Sequence, residues 1–198
     1  GFALTLAGGE TLHCERLMLA TGRGRAAAGG RLAVALGHTL EPPVPSLFTF
    51  HVAAPWLREL AGITLESAEV SLPGLGLRER GGLLITHTGL SGPAILRLSA
   101  WGARALHAAE YQFPLRVNWL PQPGREAIAA QLNARRAAEP ARFVVNTPLP
   151  PLAARLWERL VLTAGIPRET RWAGMSRSGR QHLIEPLSGT ELRAAGRR

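Results

Sequence analysis

The stretch Thr86-His87-Thr88-Gly89-Leu90-Ser91-Gly92-Pro93 decides how this chain is read. An apolar run, Leu83-Leu84-Ile85, leads into it, and Ala94-Ile95-Leu96-Arg97-Leu98-Ser99 leads out with helical spacing. The pattern predicts a strand that stops, a tight polar turn and a helix that starts. Ser91 is placed to cap that helix, and Pro93 suits its first turn, where an N–H would have no partner. Gly89 and Gly92 permit a sharp turn and a close approach to the backbone. Free N–H groups at a helix start attract anionic or carbonyl oxygens. Thr86, His87, Thr88 and Ser91 gather one titratable ring and three hydroxyls around that point. The plain alternative is a capped strand-to-helix turn that binds nothing.

Upstream of this stretch, residues 2–6 and 11–14 read as a hairpin turning at Gly8-Gly9. Residues 16–20 predict a short buried strand ending at Thr21-Gly22, followed by a helix over 26–36 with Gly37 as its C-cap. Gly22 to Ala27 matches GxGxxA, and Glu41 stands downstream where a dinucleotide fingerprint places its acid. No strand leads into Glu41, and Pro42-Pro43 follows it, so this is not the main pyrophosphate loop. Residues 41–45 form a rigid linker and the first boundary. Strands are predicted over 47–52, with Phe48, Phe50 and Val52 on one side, and over 63–72, 83–86 and 112–119. Residues 54–61 predict one helical turn, and Pro114 predicts an edge or bulged strand. A helix over 91–106 is inserted among these strands.

Pro121-Gln122-Pro123-Gly124 marks a second boundary, and helices follow. Residues 126–136 place Ile128 and Leu132 on one face. Residues 149–163 place Leu152, Leu156 and Leu160 on one face and Arg155 and Arg159 on the other. Shorter helices are predicted over 168–175 and 176–187, and Thr190-Glu191-Leu192 returns to the sheet. The fold class is therefore α+β: an antiparallel, barrel-like sheet with an inserted helix and a small helical subdomain.

Composition narrows the function. All 23 cationic side chains are Arg and all 14 acidic ones are Glu, for a net charge of +9. Residues 121–184 hold ten Arg against four Glu, a net +6, and the remainder thirteen against ten, a net +3. An Arg-rich face binds phosphates bidentately and stacks on bases; a solvated helical surface is the plain alternative. Cys14 is the single cysteine, which excludes a disulfide framework or a cysteine zinc site and makes the cytoplasm the default compartment. The six His show no metal spacing, so no metal is expected. A near-zero mean hydropathy of +0.04 and the lack of a long apolar run argue against a membrane partner. The first residues lack an initiator Met and signal-peptide features, so the chain is expected to be part of a longer protein. Gly89-Leu90-Ser91-Gly92 approaches a nucleophile elbow, but Pro93 stands where that motif needs Gly, and the chain has no Asp for a triad.

Residues 81–96, Gly-Gly-Leu-Leu-Ile-Thr-His-Thr-Gly-Leu-Ser-Gly-Pro-Ala-Ile-Leu, are similar to the signature of a bacterial flavoprotein family. Its members are NAD(P)/FAD-dependent oxidoreductases, described as aminoacetone-oxidase-type or BaiN-like. Leu19-Ala20-Thr21-Gly22, then Leu36-Gly37-His38-Thr39 and Pro45-Ser46-Leu47, match in the family's order, although the loop after Gly22 is shorter than the family's. The resemblance implies a Rossmann-like remnant of the FAD-binding domain over 1–40, a β-rich insert over 41–120, a helical part over 121–187 and a return strand or tail over 188–198. It implies FAD, with NAD(P)H as a candidate reductant, and the remainder of the FAD-binding domain as a partner. It also implies that Ala20, Thr21 and Gly22 turn beside the cofactor.

On that resemblance the chain is the substrate-side insert of an oxidoreductase that exchanges hydride between reduced nicotinamide or substrate and FAD. Thr86, Thr88, Gly89, Ser91 and Gly92 form its substrate-side turn, and His87 is the candidate proton donor. Histidine suits that role because its ordinary pKa of about 6.5 lies near working pH. Some relatives act on ribosomal RNA, forming dihydrouridine, and others on small ketones or steroids. The alternative reading is thus an Arg-rich RNA-binding module, with Arg97, Trp101 and Arg104 (at i, i+4, i+7) and Arg155 and Arg159 as candidate contacts; a purely structural insert is the third.

Overall fold

The computed structural model describes residues 1–21, 26–122 and 124–197. Contacts divide the chain into two units, Gly1–Pro43 and Val44–Arg198.

In the first unit, β1 (Phe2–Thr5) pairs antiparallel with β2 (Thr11–Cys14), Phe2 opposite Cys14 and Thr5 opposite Thr11. Helix α1 (Ala26–Ala35) ends where Gly37 takes a φ of 90°. The His38 N–H then donates to Ala33 O at 3.1 Å and the Gly37 N–H to Val34 O at 3.0 Å, which closes the last turn. The strand expected over 16–20 is not formed. A strand needs a neighbour to take its backbone donors and acceptors. Among the described residues of this unit the only ladder is β1–β2, and Met18 stands 86% exposed. Gly22, and most of the GxGxxA match with it, lies outside the described residues.

The second unit is built on a closed antiparallel barrel. Its strands are β3 (Phe50–Val52), β4 (Thr64–Leu72), β5 (Leu77–Thr86), β6 (Gly89–Ser91), β7 (Gln112–Asn118) and β8 (Thr190–Arg197), in the spatial order β3-β6-β5-β4-β7-β8. Period-2 alternation sends Phe50 and Val52, Val70 and Leu72, Leu83 and Ile85, Phe113, Leu115 and Val117 inward, where all are buried. A bulge between Leu65 and Ala68 resets the alternation of β4. Phe50 packs edge-on against Phe113 at 5.0 Å between ring centres, and Phe48 lies against both Phe50 and Tyr111.

Closure corrects one expectation. Pro114 is not on an edge strand, because β7 lies between β4 and β8. Pro114 is tolerated because β4 pairs only with 116–118 of β7, so nothing on that side requires the N–H that proline lacks. Strand β5 begins at Leu77, six residues before the predicted start at 83, because 77–81 pair with the far end of β4. After α2 (Pro55–Arg58), the inserted helix is two helices, α3 (Pro93–Trp101) and α4 (Ala103–Ala108), broken at Gly102.

Between β7 and β8 run α5 (Arg125–Ala138), α6 (Ala154–Thr163) and α7 (Arg177–Gly189). Ile128, Leu132, Leu152, Leu156 and Leu160 are buried as their spacing predicts. Helix α6 starts at Ala154 rather than 149, because each proline of Pro150-Pro151 disfavours the helical conformation in the residue before it. The helix expected over 168–175 is a single 3-10 turn, Trp172–Gly174. Three buried indoles knit this part together. Trp157 Nε1 donates to Val144 O, Trp172 Nε1 to Thr147 Oγ1 and Trp119 Nε1 to Thr190 Oγ1, each at 2.7 Å. No helix among the described residues is long and apolar enough to cross a membrane.

Candidate functional site

The opening stretch folds as a hairpin before it becomes a helix. Leu84 faces Ser91, Ile85 faces Leu90 and Thr86 faces Gly89, so His87 and Thr88 alone form the turn. Thr86 staples it: its hydroxyl accepts from the Gly89 N–H at 3.1 Å and donates to Gly89 O at 3.2 Å. The Thr88 carbonyl accepts from the Val52 N–H at 3.0 Å, which anchors the turn to β3. Ile85 and Leu90 point into the barrel core, and His87 is left exposed at the tip.

Two glycines are demanded by this geometry. Gly89 has φ 154°, and a Cβ there would lie 2.1 Å from Phe50 O. Gly92 has φ 101°, and a Cβ there would lie 2.8 Å from Gly82 O. Both positions admit only hydrogen where strands meet.

Ser91 does not cap α3. It belongs to β6, its Oγ lies 3.3 Å from Thr49 Oγ1, and the N-cap is Gly92, with no side-chain hydrogen bond. The sheet claims the residue first, because Ser91 pairs with Leu84. Pro93 opens the helix as expected. Sequence reasoning missed Ser99, which is fully buried: it accepts from the Phe48 N–H at 2.9 Å and donates to Leu96 O at 2.8 Å. A serine within the apolar face of α3 was the available signal.

On the other side of β3, the Ala53 N–H donates to Arg193 O, and a cleft of about 740 Å³ opens between α2 and strands β7 and β8. Pro55, Trp56, Pro73 and Pro114 wall it, and Arg116 and Arg193 supply charge. An apolar cleft with a few polar groups is the usual form of a small-molecule site.

The candidate RNA contacts separate. Arg97 is bound to Glu79 at 2.8 Å and to Arg80 O at 2.5 Å. Trp101 is 75% exposed at the end of α3, and Arg104 lies beyond the break at Gly102, so the three do not share one helix. Arg155 donates to Glu59 O at 3.1 Å, and Arg159 pairs with the Glu59 carboxylate. These two cations dock α6 onto the segment after α2. Ala20 and Thr21 are exposed, and they belong to the other unit. Among the described residues no group of His, Cys or Glu could hold a metal ion.

The chain is 35% identical over 99% of its length to the ribosomal RNA dihydrouridine synthase of Escherichia coli K12, of which the match covers 48%. It is 26% identical over 93% of its length to the 3-dehydro-bile acid delta(4,6)-reductase of Clostridium scindens, again covering 48%. The ribosomal RNA dihydrouridine synthase of Haemophilus influenzae is 35% identical over 44% of the chain and 23% of that protein. The chain thus spans about half the length, or less, of these relatives. The HI0933-like protein barrel and H2TH domain matches residues 44–198, and the chain belongs to that family, which is related to flavin-dependent oxidoreductases.

Proposed function

We propose that this chain is the substrate-side part of a flavin-dependent oxidoreductase that reduces a base in RNA. The similarity to a ribosomal RNA dihydrouridine synthase across nearly the whole chain carries this reading. The net charge of +9 supports it, because a small neutral substrate needs no such field.

Among the described residues of Gly1–Pro43, 16–21 form no strand, and Ala20 and Thr21 lie open. The reading therefore assigns the FAD chiefly to chain beyond these 198 residues, with Ala20, Thr21 and Gly22 available to touch it. Purified by itself, the chain should be colourless. A bound reduced flavin would supply a hydride, with NAD(P)H as its candidate reductant, and saturating a pyrimidine C=C would need a proton as well. His87, exposed on a hairpin that Thr86 and Val52 hold in place, is the candidate donor, with holding a substrate carbonyl as the alternative role. Trp101, with Arg97 and Arg104 nearby in sequence, is a candidate RNA contact on the barrel.

The test is to incubate the full-length protein with NADPH or NADH and unmodified ribosomal RNA, and to look for a nucleoside that has gained one hydrogen pair. Absence of that product with active, flavin-loaded protein refutes the reading. The 26% identity to a bile acid reductase and the cleft beside Trp56 favour a second reading, in which the substrate is a small apolar enone. Reduction of such an enone without RNA would decide for it.

A further inference from the structure

The ten Arg of residues 121–184 are not equivalent once folded. Arg125 pairs with Glu185, Arg135 and Arg142 both lean on Glu139, Arg159 pairs with Glu59 and Arg168 with Glu158. Arg155 donates to the carbonyls of Glu59 and Ala61, and Arg180 to Met175 O. Arg136, Arg171 and Arg177 form no ion pair among the described residues, and all three are exposed.

Two of these cations adjoin one built surface. The segments 140–144 and 170–173 run antiparallel: the Val144 N–H donates to Thr170 O at 3.0 Å, the Trp172 N–H to Arg142 O at 3.0 Å and the Ala173 N–H to Pro140 O at 2.9 Å. Val144 and Trp172 are fully buried and hold this pair of segments from below. Phe143 and Arg171, paired across it, point outward. The Arg171 guanidinium lies 5.2 Å from the centre of the Phe143 ring, and Phe143 is 36% exposed. Beside them is a depression of about 460 Å³ walled by Asn133, Arg136, Ala137, Pro140 and Ala173. A flat cation on an aromatic ring is a surface on which an unstacked base lies; a nearby guanidinium takes a phosphate, and an amide reads a base edge.

We propose that this surface grips single-stranded RNA, with Phe143 and Arg171 stacking an unpaired base, Arg136 holding the backbone and Asn133 facing the base edge. The proposal rests on the RNA reading above and moves the grip away from Arg155 and Arg159. An aromatic platform requires a base already out of its stack, so a loop should bind better than a duplex.

The test uses the full-length protein, a fluorescein-labelled RNA stem-loop with a uridine-rich loop, and a fully paired duplex, with affinity read by anisotropy across a salt series. Arg171→Gln and Phe143→Leu, which keeps the apolar packing but removes the ring, should each weaken stem-loop binding about tenfold and leave duplex binding nearly unchanged. Arg136→Gln should weaken both RNAs and lower the slope of log affinity against log salt by about one. Arg159→Gln should lower the melting temperature and leave RNA affinity within about twofold, because its partner is Glu59. If the wild type binds the stem-loop and Phe143→Leu and Arg171→Gln bind it equally well, this surface is not the grip, although the RNA reading stands. If the wild type binds neither RNA at low salt, the RNA reading falls and this proposal with it.

Discussion

Replacing Gly89 by Ala tests whether the hairpin is held as described. The added methyl would sit 2.1 Å from Phe50 O, more than an ångström inside contact distance, and 2.7 Å from Val52 N. Something must move, and both atoms belong to the backbone. The pairing of β3 with β6 at Phe50–Leu90 and His51–Gly89 would open, together with the Val52 N–H to Thr88 O bond. Two or three hydrogen bonds at a net of about 1 kcal/mol each, and about 1 kcal/mol for a non-glycine residue at φ 154°, come to roughly 3–4 kcal/mol. That is a large part of the roughly 5–15 kcal/mol that holds a domain folded. At about 2–4 °C per kcal/mol, the melting temperature should fall by roughly 10 °C. Thermal unfolding followed by circular dichroism reads this directly, with His87→Ala beside it as a surface substitution worth within about 0.5 kcal/mol. A Gly89→Ala protein that melts with the wild type would refute the close approach of β3 and β6, and with it the rigid placement of His87.

On the proposed function, His87→Ala in the full-length protein should lower turnover by roughly 10²-fold if the imidazole gives the proton, with its melting curve unchanged; full activity would end that assignment. Ser91→Ala should cost less than about 1 kcal/mol in denaturant titration, because it loses only the 3.3 Å contact with Thr49 and caps nothing. Thr190→Val keeps the shape but removes the acceptor of the Trp119 indole and the donor to Pro186 O, so it should cost about 1–3 kcal/mol by the same measurement. Hydrogen bonds from Arg125 hold the Glu185 carboxyl below its ordinary range, so the pair stabilises the fold above the unfolded carboxylate pKa and stops doing so as pH falls through the lowered folded value. Both side chains are about half exposed, at 44% and 57%, so the difference in melting temperature between wild type and Glu185→Gln should be small, vanish in acid and shrink with salt.

What the sequence disclosed, and what it hid, follows from how far each signal reaches along the chain. Phe50 and Val52, or Leu156 and Leu160, announce their elements because a period of two or of 3.6 is a local property. Barrel closure is not local. It depends on β8 meeting β3 across more than 130 residues, which is why Pro114 reads as an edge residue until the partner strand is in place. The same limit explains Ser91: a serine before Gly-Pro is a helix cap on local grounds, and only its pairing with Leu84 overrides that. The strand expected at 16–20 errs the other way, since local hydrophobicity cannot supply a ladder partner. The two glycines of the turn were legible in kind, as sites of close approach, but the strand that approaches Gly89 was not. The charge surplus was legible as a number, whereas which arginines are neutralised depends on Glu59 and Glu185, far away in sequence.

The helical part and the barrel are tied at several points, and the ties bear on how any RNA substrate reaches His87. Helix α7 runs without a loop into β8, which closes the barrel. At that junction the Trp119 indole donates to Thr190, Thr190 donates to Pro186 O, and the Trp119 N–H donates to Leu187 O at 3.0 Å. Arg155 binds the carbonyls of Glu59 and Ala61 on the far side. Closing the helices down toward the hairpin would break these bonds and expose Trp119, which is fully buried. Breaking two buried hydrogen bonds and baring an indole costs several times the thermal energy. Within this unit these bonds oppose such a closure, so the hairpin and the Phe143–Arg171 surface are expected to hold their separation. On the RNA reading, the motion that brings a base to His87 belongs to the RNA. An unpaired loop bends at little cost, whereas a duplex must first open a base pair. On that reading a variant that loosens the Trp119–Thr190 junction, such as Thr190→Val, should narrow the difference in reaction between a loop and a duplex, whereas Phe143→Leu should narrow the difference in binding.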